Sequence, residues 1–142
     1  MADPRAASGM NHPLAQPHQH FLSGPLPNVR IGIEKMFAHH SETGYAGSLP
    51  GIIQKTLVWG ENTLMTEFRL KKDSVLPRHS HPHEQTGYLV SGHITLRIGN
   101  DEADIMPGDS WNIPGSVEHG ATIHEDSVAI EIFYPVRKEY LP

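Results

Sequence analysis

Residues 76–92 read LPRHSHPHEQTGYLVSG and contain three of the chain's histidines at alternate positions. In an extended strand the side-chain period is two residues, so His79, His81, His83 and Gln85 fall on one face. Two imidazoles two residues apart can reach a common point, and an oxygen slightly further along can join them. The stretch therefore predicts one side of a metal site.

Residues 107–120 read PGDSWNIPGSVEHG and offer His119 as a ligand from a neighbouring strand. Spacing alone leaves either Gln85 or His83 as the remaining ligand, although Pro82 bends the strand locally and favours Gln85. The chain has no cysteine, so only nitrogen and oxygen donors are available. Such donors accept one divalent transition metal, Ni, Zn, Fe or Mn, without selecting among them.

Outward from these segments, short stretches rich in Val, Ile, Leu, Phe and Thr alternate with turn residues from about residue 51 onward. This rhythm predicts an all-β sandwich or barrel without a helix of ordinary length. The length of 142 residues fits one domain. Strands are predicted over residues 52–59, 63–71, 86–91, 93–98, 102–105, 110–113, 119–123 and 128–134.

Residues 1–30 carry five of the twelve prolines and show no helical or strand periodicity. They predict a flexible arm whose first nine residues are compatible with an added expression leader, which leaves residues 31–142 for the barrel. Outside the two segments, His93 and His124 are expected at the surface or behind the ligands, as are His39 and His40.

The formal charge is −5, with acids and bases interspersed, so no basic stripe is present for nucleic acid or an anionic membrane surface. No stretch approaches the roughly 20 apolar residues of a membrane span, and no secretory signal is visible. A cytoplasmic location is the default expectation. The apolar segment Ile52–Trp59 has the character of an exposed sheet edge, which predicts a homodimer that covers it.

The two segments together resemble the two motifs of the cupin superfamily. In the first motif a His-x-His pair is followed by an acidic or amide ligand seven residues before a glycine, here Gln85 before Gly92. In the second, a glycine and a proline precede a ligand histidine, here Gly108, Pro114 and His119. The resemblance implies a single-domain cupin, a jelly-roll β-barrel with one divalent metal on four ligands: His79, His81, Gln85 and His119.

Two positions depart from the usual cupin pattern. Gln85 stands where many cupins have Glu, which makes the implied ligand set neutral. Ser116 stands where the second motif often has Gly, which affects a turn rather than the chemistry.

Residues 131–141 read EIFYPVRKEYL and resemble the end of the pectin-degradation cupins that act on 4,5-unsaturated uronates. An Asp, a Phe and an Arg of that family correspond to Glu131, Phe133 and Arg137. The resemblance implies a metal-assisted ring opening and ketonisation of a small anionic substrate.

In that reaction Arg137 would bind the substrate carboxylate, and Glu131 would move protons with a pKa raised by a partly buried barrel mouth. Glu131 has one methylene more than the family's Asp, so it is either catalytic in a shifted family member or structural. Two further functions remain open: a metal-dependent dioxygenase, and a non-catalytic ligand-binding cupin.

Overall fold

The computed structural model describes residues 35–142. The predicted arm over residues 1–30 and the first four residues of the predicted barrel lie outside this range. The described chain forms ten strands followed by one short 3₁₀ helix, Lys138–Tyr140. The strands are β1 (Ala46–Leu49), β2 (Ile52–Trp59), β3 (Leu64–Leu70), β4 (Val75–His79), β5 (Glu84–Ser91), β6 (Ile94–Ile98), β7 (Asp101–Ile105), β8 (Ser110–Ile113), β9 (His119–Ile123) and β10 (Ser127–Tyr134).

The strands form two antiparallel sheets that enclose one apolar core. The six-stranded sheet has the order β1-β2-β3-β10-β5-β8, and the four-stranded sheet has the order β4-β9-β6-β7. Side chains alternate between the core and solvent along most strands, as in β5, where Gln85, Gly87 and Leu89 are buried and their neighbours are exposed. The core joins both sheets, with Ile52 and Leu89 from one and Ile94 and Ile123 from the other.

All eight predicted strands are present, each with bounds within two residues of the prediction. Two strands were missed. β1 is exposed along its whole length and carries no apolar alternation that could reveal it. β4 contains Pro77, which argues against a strand in a sequence, but β4 is an edge strand that pairs only with β9. An edge position tolerates a residue without an N–H.

The sheet edge differs from the prediction. Strand β2 is hydrogen-bonded to β3 on one side and to β1 on the other, and Lys35 adds a bridge to Trp59. The segment Ile52–Trp59 is therefore not an edge, because β1 covers it. The homodimer stays a prediction.

None of the helices within residues 35–142 combines the length and apolar character needed to span a bilayer.

Candidate metal centre and active-site cavity

Three histidines meet at the end of the barrel where β4 stops and β9 starts. His79 is the last residue of β4 and His119 the first of β9, and the two are register partners across the strand pair. Their ring centroids are 4.3 Å apart, and the ring of His81 lies 4.9 Å from that of His119. One donor nitrogen of each histidine lies within 4.8 Å of those of the other two. This group can hold a divalent metal.

Backbone carbonyls orient all three imidazoles. Nδ1 of His79 lies 2.9 Å from the carbonyl of Pro77, and Nδ1 of His119 lies 2.9 Å from that of Val117. Nδ1 of His81 lies 3.0 Å from the carbonyl of His83. A carbonyl only accepts, so each Nδ1 must carry the proton and donate it. The lone pair of each neutral ring is thereby placed on Nε2, as in protein metal sites whose second nitrogen donates outward.

Gln85 completes the group from the opposite sheet. Its Oε1 lies 3.0 Å from Nε2 of His81, and its Nε2 donates to Oε2 of Glu131 at 2.6 Å. Burial, followed by the nearby Arg137 and His119, lowers the pKa of His81 to about 4, so its ring is neutral near pH 7. Lone pairs on Nε2 of His81 and on Oε1 of Gln85 then face each other, an arrangement that a bound cation stabilises.

His119 supplies an independent test of whether these residues fit a metal. Its side chain is only 1% exposed, and Nε2 is buried without a hydrogen-bond partner among the residues that the structure describes. Burial lowers the pKa of His119 as well, which favours the neutral ring. A buried acceptor without a donor is costly unless a ligand satisfies it, so the residues fit a divalent ion.

The predicted ligands do not meet by sharing one strand face, as the sequence predicted. His79, His81, His83 and Gln85 do not share one strand face, because β4 ends at His79 and β5 starts only at Glu84. The intervening loop returns the chain to the other sheet. As a result His79 and Gln85 face each other across the barrel interior instead of lying side by side.

His83 is not part of the histidine group. The group consists of His79, His81 and His119, and the ring of His83 is 5.8 Å from that of His81. Its contribution is its backbone carbonyl, which accepts the hydrogen bond from His81.

Strand β10 places Glu131 and Phe133 in the same cavity. They are two residues apart, face inward and are 7% and 1% exposed, respectively. Burial raises the pKa of Glu131 to about 8, while the hydrogen bond from Gln85 acts in the opposite direction. Phe133 packs its ring against that of His81 at a centroid distance of 5.9 Å. The predicted carboxyl and aromatic residue therefore lie beside the histidine group.

Arg137 reaches the cavity from beyond the strand. β10 ends at Tyr134, and Pro135 interrupts it as expected, so the segment before the 3₁₀ helix carries Arg137 back over the opening. Its Nε donates to Glu139 at 2.6 Å, and its guanidinium lies 4.2 Å from the ring centroid of Tyr140. Stacking and the ion pair hold the guanidinium against the cavity wall.

Tyr140 is a cavity residue that the sequence analysis missed. It lines the same cavity as His79, Glu131 and Arg137, and its ring packs edge-on against Phe133 at 5.5 Å. Its backbone carbonyl accepts a hydrogen bond from the Thr56 hydroxyl at 2.6 Å, which attaches the chain end to β2. The sequence signal available for this role was an aromatic residue three positions after Arg137.

Comparisons with known proteins agree with this architecture. The family model described as a cupin domain matches residues 66–134. No curated protein matches the sequence. Among solved structures, KdgF from a Halomonas species matches with a TM-score of 0.70 and 28% identity, over 74% of this chain and 99% of that one.

Two further solved structures show likeness in fold alone. An RmlC-like cupin from Shewanella frigidimarina matches with a TM-score of 0.72 and 22% identity, over 78% of this chain and 100% of that one. A salicylate 1,2-dioxygenase mutant from Pseudoaminobacter salicylatoxidans matches with a TM-score of 0.60 and 12% identity, over 62% of this chain and 27% of that one.

Proposed function

We propose that this protein, whose residues 66–134 match a cupin-domain model and whose fold resembles that of KdgF, binds a divalent metal and opens and ketonises the ring of a small unsaturated sugar acid. The proposed substrate class is the 4,5-unsaturated uronates, on which the pectin-degradation cupins that the C-terminal sequence resembles act. One observation carries the proposal: two members of the histidine group, His79 and His119, line one cavity together with a buried carboxyl and a guanidinium.

We assign the metal to Nε2 of the three histidines and Oε1 of Gln85. All four donors are neutral, so a bound dication keeps its full charge toward the cavity, which favours an acid over a neutral sugar. When bound, the metal supplies Lewis-acid polarisation of a sugar oxygen. Glu131 orients the amide of Gln85 by accepting its N–H, so that Oε1 faces His81.

Arg137 is the proposed anchor for the substrate carboxylate. Its Nε is already paired with Glu139, so the two terminal nitrogens of the fork remain for a carboxylate at the cavity mouth. A planar guanidinium stacked on Tyr140 presents those nitrogens in a fixed orientation. Phe133 forms an apolar wall beside the ring position.

Glu131 is the proposed proton carrier, because it is the only carboxyl among the described residues that line the cavity. The substrate hydroxyl loses its proton as the ring C–O bond breaks, and the resulting enolate gains a proton on carbon. No net proton is consumed, so one carboxyl that first accepts and then donates is sufficient; it must start the cycle ionised, which is the minor form near pH 7 because burial raises the pKa of Glu131 to about 8.

The test is an ultraviolet assay that follows loss of the conjugated double bond of an unsaturated uronate with metal-loaded protein. Glu131→Gln should keep the fold and the metal content but lose about a hundredfold in kcat, the usual scale of acid-base assistance. Exposed Glu61→Gln is the matched control and should retain the parent rate. A parent rate in Glu131→Gln would show that Glu131 is structural.

Arg137→Lys separates binding from chemistry in the same assay. A point charge cannot reproduce a two-pronged contact, so KM should rise about tenfold with kcat little changed. Arg97→Lys, on the outer face of the four-stranded sheet, is the control. If the protein does not turn over uronates but consumes oxygen with enols or flavonols, the dioxygenase alternative is favoured. A folded, metal-loaded protein without either activity would favour the binding module.

A further inference from the structure

A second cluster of potential ligands lies on the outer face of the four-stranded sheet. It contains His93, Asp104 and His124, and one donor atom of each lies within 4.8 Å of those of the other two. From the sequence, both histidines are expected at the surface or behind the inner ligands. The cluster has no contact with the inner cavity, because these side chains point away from the core.

Strand register holds the three residues together. Asp104 of β7 is the cross-strand partner of Thr95 in β6. Ile94 of β6 pairs with Ile123 of β9, so the next residues outward, His93 and His124, face each other. The backbone N–H of His124 donates to the carbonyl of His93 at 2.9 Å, which closes this end of the strand pair. Asp104 thus lies within β7, and His93 and His124 flank the adjacent ends of β6 and β9, so hydrogen-bonded strands fix all three positions.

Thr95 positions two of the side chains. Its hydroxyl donates to Oδ1 of Asp104 at 2.7 Å and lies 2.6 Å from Nε2 of His124. The same hydrogen bond, with smaller contributions from His93 and His124, lowers the pKa of Asp104 and keeps its carboxylate ionised. An anionic oxygen and two imidazoles therefore lie together. Because the single hydroxyl proton of Thr95 goes to Asp104, Nε2 of His124 donates to the Thr95 oxygen, and the lone pair of the neutral His124 ring is on Nδ1.

The buried Nε2 of His93 indicates that a partner is missing from the cluster. It is buried and has no hydrogen-bond partner among the described residues. Oδ1 of Asp104 lies 3.6 Å from it, which is within the range of an ion pair with a protonated ring but too long for a hydrogen bond. Two ligands about 2.1 Å from one tetrahedral ion are about 3.4 Å apart, so the observed spacing suits a shared ion.

We propose that His93, Asp104 and His124 form a second metal site, for a divalent first-row transition ion such as Zn²⁺. Two imidazoles and one carboxylate are a common ligand set for such ions, and water completes the coordination because the site is at the surface. The ion links β6, β7 and β9 at one end of the sheet. This proposal does not depend on the reaction proposed for the inner cavity.

Zinc stoichiometry tests the proposal. The full chain, without a purification tag, is stripped with a chelator, loaded with ZnCl₂, gel-filtered and analysed for zinc per chain. His124→Ala and His93→Ala should each lose one zinc per chain relative to the parent, and Asp104→Asn should bind this zinc at least about tenfold more weakly. Exposed His39→Ala is the matched control and should lose none. Histidines of the arm are common to all variants, so they cancel in the comparison. Zinc content equal to the control in both histidine variants would overturn the proposal.

Imidazole resonances locate the bound ion. In His119→Ala, which disables the inner group, ZnCl₂ should shift the ring ¹⁵N signals of His93 and His124 by the amount typical of metal-bound nitrogen. Should His119→Ala fail to fold, His79→Ala provides the same readout, because His79 is half-exposed and its removal leaves a smaller cavity. Ring signals of His93 and His124 that stay unchanged at saturating zinc would overturn the proposal independently of stoichiometry.

Discussion

Strand β9 contributes to both histidine clusters, and the two clusters differ because of where on the strand each histidine lies. His119 opens β9 and faces the barrel interior, whereas His124 follows its last residue and is exposed. The two positions are five apart, an odd number, so alternation places their side chains on opposite faces of the sheet. Parity along a strand therefore decides whether a histidine meets the core or solvent.

The two environments favour different chemistry. In the inner group, burial lowers the pKa of His81 and His119 and the fourth donor is an amide, so no ligand offsets the charge of a bound dication. In the outer cluster the Asp104 carboxylate neutralises part of that charge, and solvent screens the rest. We infer that only the inner group supports catalysis on an anion, whereas the outer cluster is suited to stabilising the sheet.

The largest expected effect distinguishes the two clusters by activity. His119→Ala removes a buried ligand, so the inner metal should be lost and kcat/KM should fall about a thousandfold, which corresponds to several kcal/mol of metal assistance. His124→Ala and His83→Ala should retain the parent activity and inner metal. The checks are metal analysis and the uronate assay, with circular dichroism to verify folding. Equal metal loss in His83→Ala would mean that His83 is a ligand.

An intermediate effect concerns the packing that supports the inner group. Gly87 lies in β5, two residues after Gln85, and a Cβ built there would lie 2.1 Å from Cε2 of Trp111. Gly87→Ala should therefore reduce the free energy of unfolding by about 3 kcal/mol or more through overpacking.

The matched control for that substitution is Gly60→Ala. Nothing lies within 4 Å of a Cβ at position 60, so its free energy of unfolding should change by less than about 0.5 kcal/mol. Urea denaturation of the metal-free proteins measures both values. Similar stabilities for the two variants would indicate that the inner wall is loosely packed.

The smallest expected effect concerns the outer face. Thr95→Val removes the hydroxyl that links Asp104 to His124 but keeps the β-branched shape. The free energy of unfolding of the metal-free protein should fall by about 1 kcal/mol or less, because the bonds are near solvent. Thr122→Val is the control on the neighbouring strand, since Thr122 is the register partner of Thr95 and is exposed. A loss of inner metal in Thr95→Val would show that the clusters are coupled.

Local patterns accounted for most of the strands but not for their partners. Short β-branched and aromatic runs between turn residues located eight strands, because alternation and turn preferences act over a few residues. β1 has no such pattern, and β4 contains a proline that only its edge position explains. Which strands are neighbours depends on contacts between residues far apart in the chain, and these leave no local signal.

The same distinction between local sequence patterns and tertiary contacts applies to the inner site. Spacing and motif order selected His79, His81, Gln85 and His119, and the structure brings all four together. The expected mechanism of convergence, one shared strand face, was wrong. A turn after β4 sends Gln85 to the opposite sheet, where its amide is held by Glu131. The local sequence identified the candidate ligand residues, whereas the packing of the two sheets determined the direction of each side chain.

The outer cluster depended entirely on tertiary structure. By itself the sequence determined that this chain is β-rich and has histidines spaced as metal ligands are, because strand periodicity and ligand spacing are properties of neighbouring residues. Only the tertiary structure decided that Asp104, His93 and His124 meet, because they lie in or directly beside three strands that become adjacent through the order β9-β6-β7. It also decided that Arg137 and Tyr140 close the cavity, because the chain turns back over the barrel after β10. Periodicity determines which face of a strand a residue occupies, but only the fold determines which strands lie next to that strand.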